Sequence, residues 1–158
     1  MKIFVGSDHA GFGLKEKLVS FLKELGHEVF DKGSSEYNEE DDYPDFIIPV
    51  AREVSHHPND VRGIIFGASG QGEAMTANKF SDVRAAVYYG QGQSVVENNG
   101  LSVIKLSRAH NDANILSIGA RFVTEEDMKE AVKEWLDMPF SGEEKHRRRI
   151  IKMNFIHE

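Results

Sequence analysis

The strongest constraint in this chain is the stretch from Arg62 to Lys79. Ile64, Ile65 and Phe66 form a short apolar run, and Gly67, Gly70 and Gly72 follow at once. Helix formers then take over: Glu73, Ala74, Met75, Ala77 and Lys79. A buried strand, a glycine-rich turn and a helix are the parts of a parallel α/β protein. Such a turn lets the backbone approach a ligand closely, and the first N–H groups of the helix lack partners inside it. Those donors suit a phosphate, or a carbonyl oxygen that gains negative charge during reaction. Glu73 beside such a cradle suits a base that removes a proton next to a carbonyl. Two readings stay open from this stretch alone. One is that cradle; the other is a tight turn with Glu73 as a solvated first-turn acid favoured by the helix dipole.

The flanking segments extend the α/β pattern. Ile3, Phe4 and Val5 read as a first strand. Leu14, Leu18, Phe21, Leu22 and Leu25 repeat at helical spacing, and Gly26 ends that helix. Glu28 to Asp31 reads as a second strand, which completes a βαβ unit and implies a parallel sheet. Tyr43, Pro44 and Asp45 start a helix with proline in its first turn, carrying Phe46, Ile47, Val50, Ala51 and Val54 on one face. Val83 to Tyr88 and Ile115 to Ile118 are the fourth and fifth strands. Thr124 with Asp127 is a capping box for a helix cored by Met128, Ala131, Val132, Trp135 and Leu136. The expected fold is a doubly wound parallel five-stranded sheet in one domain over 1–158. Residues 143–158 form a basic C-terminal helix that leaves the compact body and reaches a partner subunit.

Composition narrows the function. There is no cysteine, which excludes disulfides, thiolate metal sites and a cysteine nucleophile. The net charge of −7 argues against a general nucleic-acid binder. No apolar run nears the ~18 residues of a membrane span, and Met1 leads straight into a strand, so a cytoplasmic location is expected. The seven histidines show no zinc-ligand spacing on one face, so no metal is expected.

Several polar residues stand out. Asp8 and His9 follow the first strand, where parallel sheets bind ligands; the alternative is a helix-capping Asp8 and a surface His9. The acidic run of Glu36, Glu39, Glu40, Asp41, Asp42 and Asp45 reads as a solvated loop. Residues 88–106 read as a long mobile loop carrying Gly90, Gly92, Asn98, Asn99 and Gly100, with room for one helical turn at Val95 and Val96. His110 lies among small and polar residues rather than in a core pattern, which suits an active-site or interface histidine. Lys145, His146, Arg147, Arg148, Arg149 and Lys152 form a dense basic patch in an acidic protein. Lys145, Arg149 and Lys152 share one helical face, and phosphate is their natural ligand.

Taken together, these motifs resemble the type B ribose-5-phosphate isomerases, a family that includes galactose-6-phosphate isomerase subunits. The resemblance rests on Gly6-Ser-Asp-His-Ala-Gly-Phe12, Asp42-Tyr-Pro-Asp45, Gly67-Ala-Ser-Gly-Gln-Gly-Glu73, Ala77-Asn-Lys79, Val83-Arg-Ala-Ala86, Ser107-Arg-Ala-His-Asn-Asp-Ala-Asn114, and His146 with Arg149. It spans Met1 to about Ile151. It implies a Rossmann-like fold, a homodimer or pair of dimers with sites shared between subunits, and no cofactor. Some members carry a cysteine base after the third strand, where this chain has Gly67; others place a glutamate where Glu73 stands. The resemblance therefore implies Glu73 as the base. Gly67, Gly70 and Gly72 with Ser69 would hold the enediolate oxygen. Asp8, His110 and Asn111 would handle sugar hydroxyls and ring opening, while His9, Arg121, Lys145 and Arg149 would bind phosphate. Lys145 replaces the family's usual arginine, and the 88–106 connection is longer than usual. The expected reaction interconverts ribose 5-phosphate and ribulose 5-phosphate. Galactose 6-phosphate, allose 6-phosphate or a tetrose phosphate is the alternative substrate, and a non-catalytic sugar-phosphate-binding module the alternative function.

Overall fold

The computed structural model describes residues 1–90 and 102–155. The sheet is built from β1 (Lys2–Ser7), β2 (Glu28–Asp31), β3 (Val61–Gly67), β4 (Ala85–Tyr88) and β5 (Ile115–Gly119). All pairs are parallel, in the order β2-β1-β3-β5-β4. The helices are α1 (Phe12–Glu24), α2 (Tyr43–His56), α3 (Gln71–Ala77), α4 (Val103–Asn111), α5 (Glu125–Asp137) and α6 (Glu144–Asn154). Direction reverses between β1 and β3, because the chain leaves β1 toward β2 and then crosses back to β3. A crevice at the carboxyl ends of β1 and β3 is the physical result.

Side-chain alternation along the strands divides the core into two layers. Ile3, Val5, Ile64, Phe66, Leu116 and Ile118 pack with α1, α4 and α5, where Leu18, Leu22, Ile104, Met128, Val132 and Trp135 meet them. Phe4, Val61, Ile65 and Ile115 pack on the other face with α2 and α3, through Ile47, Val50, Ala51, Val54 and Ala77. The doubly wound parallel sheet expected from sequence is thus present. The Gly26 stop holds: its φ is +81°, and His27 N–H reaches back to the Leu22 carbonyl. The Thr124–Asp127 capping box is complete.

Four expectations need correction. The fourth strand begins at Ala85, since the Arg84 N–H donates to the Asn114 side chain rather than to a neighbouring strand. The 88–106 connection is not all loop: Ser102 accepts from Lys105 N–H and starts α4, so Val103 to Leu106 are helical. The rest of that reading, from 91 to 101, lies outside the described residues. The acidic run is not wholly solvated, because the Asp41 side chain is only 8% exposed and bonds His9. His146 leaves the basic patch, being buried against the His110 ring at 4.2 Å between centroids. The expected helix over 143–158 is seen as α6, and 156–158 lie outside the described residues.

Among the described residues, no helix is long and apolar enough to cross a membrane.

Candidate active site

At the carboxyl ends of β1 and β3 the crevice gathers carboxylates. Glu73 lies in the first turn of α3 and is 4% exposed. Its carboxylate fills the space beside Gly67, where a built Cβ would collide with it. That contact explains why this position takes glycine: any side chain here competes with Glu73 for the same volume. The alternative of a solvated first-turn acid is therefore overturned. Burial pushes the Glu73 carboxyl above its usual range, and the nearby negative charge of Asp8 adds to the effect.

Asp8 is also buried. One of its oxygens accepts from Ala10 N–H at 3.0 Å and Gly11 N–H at 3.3 Å, which pins the turn before α1. The capping role foreseen for Asp8 is thus present alongside its place in the crevice. Burial raises its pKa, against the lowering effect of the Gly11 N–H. Next to it, His9 places Nδ1 at 2.6 Å from Asp41 Oδ1, and its backbone N–H donates to the same oxygen at 3.1 Å. That hydrogen bond to Asp41 raises the His9 pKa. Asp8, His9 and Asp41 bring ligand-capable atoms within 4.8 Å of one another. His9 Nδ1 is already bonded to Asp41, which leaves Nε2 as the free ring nitrogen.

The glycine turn is held from three sides. Gly70 has φ +75°, a left-handed conformation that favours glycine, and its carbonyl accepts from Ser117 Oγ at 2.6 Å. Gly72 faces the Tyr43 phenol, which lies 2.8 Å from where a Cβ would stand. Ala120 and Arg121 N–H groups donate to the carbonyls of Gly67 and Ala68. The Ser69 hydroxyl accepts from Gln71 N–H at 3.3 Å. Exposed Arg121 thus stands at the same end of the sheet, on the chain leaving β5.

The remaining predicted residues lie elsewhere. His110 and Asn111 end α4, just before β5 begins at Ile115. Parallel strands share one direction, so the residues before β5 sit at the amino end of the sheet. Register puts Gly63 beside Ile115 and Gly67 beside Gly119. At about 3.3 Å per residue, the Glu73 level is on the order of 13 Å above the start of β5. Lys145 and Arg149 are exposed on α6, which begins against α4 and ends with Asn154 bonded to Asp82, just ahead of β4. One chain therefore unites Asp8, His9, Gly67, Ser69, Gly70, Gly72, Glu73 and Arg121, and keeps His110, Asn111, Lys145 and Arg149 at the far end. An open cavity of about 600 Å³ lies there, lined by Asn111, Arg84, Asp82, Met153 and Asn154.

Among the buried charges that sequence reasoning missed are Asp41 and Lys15. Asp41 was hidden in an acidic run. Lys15 is 1% exposed and bonds Asp31, Glu16 and the Ser34 carbonyl. A signal for it existed, because Lys15, Leu18 and Leu22 share one helical face and a lysine on a core stripe needs a buried partner.

Fold and site together define a parallel α/β protein with a glycine turn and a buried carboxylate at a strand-end crevice. Comparison with known proteins makes this specific. Residues 3–153 match the family model described as Ribose/Galactose Isomerase. Ribose-5-phosphate isomerase B of Mycobacterium tuberculosis (strain H37Rv) is 35% identical over 95% of this chain and 86% of its own length. Ribose-5-phosphate isomerase B of Escherichia coli (strain K12) is 39% identical over 94% of this chain and 91% of its own. Among solved structures, ribose-5-phosphate isomerase B from Mycoplasma genitalium with bound ribulose-5-phosphate superposes with a TM-score of 0.87 at 34% identity, covering 97% of this chain and 93% of that one. The Clostridium thermocellum ribose-5-phosphate isomerase B gives a TM-score of 0.87 at 39% identity, with 99% and 97% coverage. This chain belongs to the Ribose/Galactose Isomerase family, a family of sugar isomerases.

Proposed function

We propose that this chain interconverts ribose 5-phosphate and ribulose 5-phosphate, with Glu73 as the base. The observation that carries the reading is the buried Glu73 carboxylate, lodged beside Gly67 at the sheet's switch point. Support for the substrate comes from the relatives named ribose-5-phosphate isomerase B and from the one solved with ribulose-5-phosphate.

In this mechanism the closed sugar opens with Asp8 and His110 managing hydroxyl protons. Glu73 takes the C2 proton and returns it to C1, while the O2 hydroxyl proton passes to O1. Between these steps a cis-enediolate forms, and the N–H groups of the Gly67–Gly72 turn with Ser69 hold its charged oxygen. One carboxylate serves both carbons because they are adjacent. A raised pKa suits this work: the carboxylate is a stronger base, and the acid form can give the proton back near neutral pH. His9, Arg121, Lys145 and Arg149 bind phosphate. Asn111 joins His110 on the sugar.

A homodimer follows from the same reading. Carboxylates collect at one end of the sheet and the cationic α6 with His110 at the other, so two chains with the carboxyl end of each facing the amino end of the other would complete each other's sites. Pairing of dimers into tetramers is compatible with this arrangement. A single catalytic domain over 1–158, acting in the cytoplasm, completes the reading.

The test is ketose formation from ribose 5-phosphate, with galactose 6-phosphate and allose 6-phosphate run alongside. Preferred turnover of ribose 5-phosphate is expected. Turnover of a hexose phosphate alone would move the substrate but keep the Glu73 chemistry. No turnover on any would sink the proposal and leave a sugar-phosphate-binding module.

A further inference from the structure

We infer that Asp41 is a positioning residue: it fixes the His9 ring as an imidazolium with Nε2 presented to the substrate phosphate. This rests on the proposed function only in that His9 is taken to meet phosphate. The geometry is specific. A single oxygen of Asp41 accepts from both the His9 backbone N–H and the His9 ring, so ring and main chain are tied to one point. With Nδ1 engaged, Nε2 is the nitrogen left for a ligand. The other Asp41 oxygen is buried and accepts no hydrogen bond, so His9 is the charge that answers this carboxylate.

The surroundings favour the cation. Asp8 and Glu39 add negative charge near His9, and the Tyr37 ring meets it edge-on with centroids 6.2 Å apart. The positive charge of Arg121 acts on the neighbouring Tyr37 in the opposite sense to the acids. A histidine near its ordinary pKa would be mostly neutral above pH 7, and with its Nδ1–H donating to Asp41 the neutral ring would accept, not donate, at Nε2. Held by Asp41, it stays a donor where the phosphate dianion prevails.

Two measurements test this. Nitrogen-15 resonances of His9 in the wild-type protein should show a ring that stays protonated above its ordinary pKa, and Nε2 should shift when inorganic phosphate is added. A ring that is neutral at pH 7.5 overturns the inference whatever the variants do. For the folded D41N variant, the asparagine oxygen still accepts from the backbone N–H but no longer counters the ring charge. KM for ribose 5-phosphate should rise on the order of tenfold at pH 8, the loss of one charge-assisted bond. Most of the fall in kcat/KM should lie in KM. The ratio of variant to wild-type KM should shrink toward one near pH 6, where His9 protonates without help; protonation of the substrate itself cancels in that ratio. A ratio that stays constant with pH would mark Asp41 as merely structural. H9N separates this from the wider reading. If H9N raises KM and D41N does not, the role of Asp41 fails alone. If H9N leaves KM unchanged, phosphate binding by His9 fails and takes this inference with it.

Discussion

The two ends of the sheet are built on opposite principles. At the carboxyl end, alongside the paired His9–Asp41 and Lys15–Asp31, the buried Asp8 and Glu73 have no ion-pair partner among the described residues, and burial raises both pKa values. At the amino end, buried charge is satisfied by dense hydrogen bonding. Arg108 bonds Asp112 and the carbonyls of Ala113 and Met138, and lies over the Trp135 ring. Arg84 bonds Asp112 and two carbonyls on the turn before β5. Burial, helped by the proximity of His110, lowers the His146 pKa, so that histidine packs as a neutral ring. One end spends stability on reactive groups and the other spends polar groups on stability. The difference teaches where chemistry resides in a chain whose proposed site residues are spread over both ends.

The sharpest way to break that comparison is E73Q. Glutamine keeps the shape beside Gly67 and removes the base. Turnover should fall on the order of 10³-fold with KM changed little. Steady-state kinetics on ribose 5-phosphate settles it, and turnover near wild type would return Glu73 to a packing role.

A second experiment asks whether the ends work together across subunits. E73Q and H110N, each nearly inactive alone, are coexpressed with different tags. In a shared-site homodimer half the molecules are mixed, and each mixed dimer holds one intact site. About a quarter of wild-type turnover should return. Failure to recover activity in purified mixed dimers would show that His110 acts in its own chain or not at all.

G67A tests the crowding at the carboxyl end with a smaller effect. The added methyl needs the space that the Glu73 carboxylate occupies. Displacement of the base should lower kcat on the order of tenfold, since small misplacements of a reacting group are costly. Unchanged kcat would mean that Glu73 has room to work elsewhere in the crevice.

These two ends were not equally legible in the sequence. The glycine turn, the strand ends at Asp8 and the candidate base at Glu73 stand out because a short motif carries them. The helix α1 is legible from Leu14, Leu18 and Leu22, and α5 from its capping box. By contrast α4 was hidden, because its inward face includes Ser107 and Arg108 beside Ile104, and buried polar residues blur apolar periodicity. Asp41 was hidden for another reason: its partner lies 32 residues away, and neighbouring acids mask it. The separation of His110 from Glu73 was readable in principle. His110 precedes its strand while Asp8 and Glu73 follow theirs, which assigns them to opposite ends of a parallel sheet.

The smallest expected effect bears on the cost of that carboxyl end. Glu73 has a folded-state pKa above its unfolded value, so the unfolded chain releases this proton first as pH rises. Stability is then lost between the unfolded and the folded pKa, and the loss is complete above the folded one. E73Q carries no such penalty. Its melting temperature should exceed that of wild type at about pH 8, and the gap should close as pH falls below about 4, where Glu73 is protonated in both states. The same titration sets the activity limb: wild-type kcat should decline as pH drops through the raised pKa of Glu73, while the residual turnover of E73Q should lack that limb. A variant less stable than wild type at pH 8 would mean that the buried carboxylate is held by compensating contacts. The contrast between a reactive end and a satisfied end would then rest on Asp8 alone.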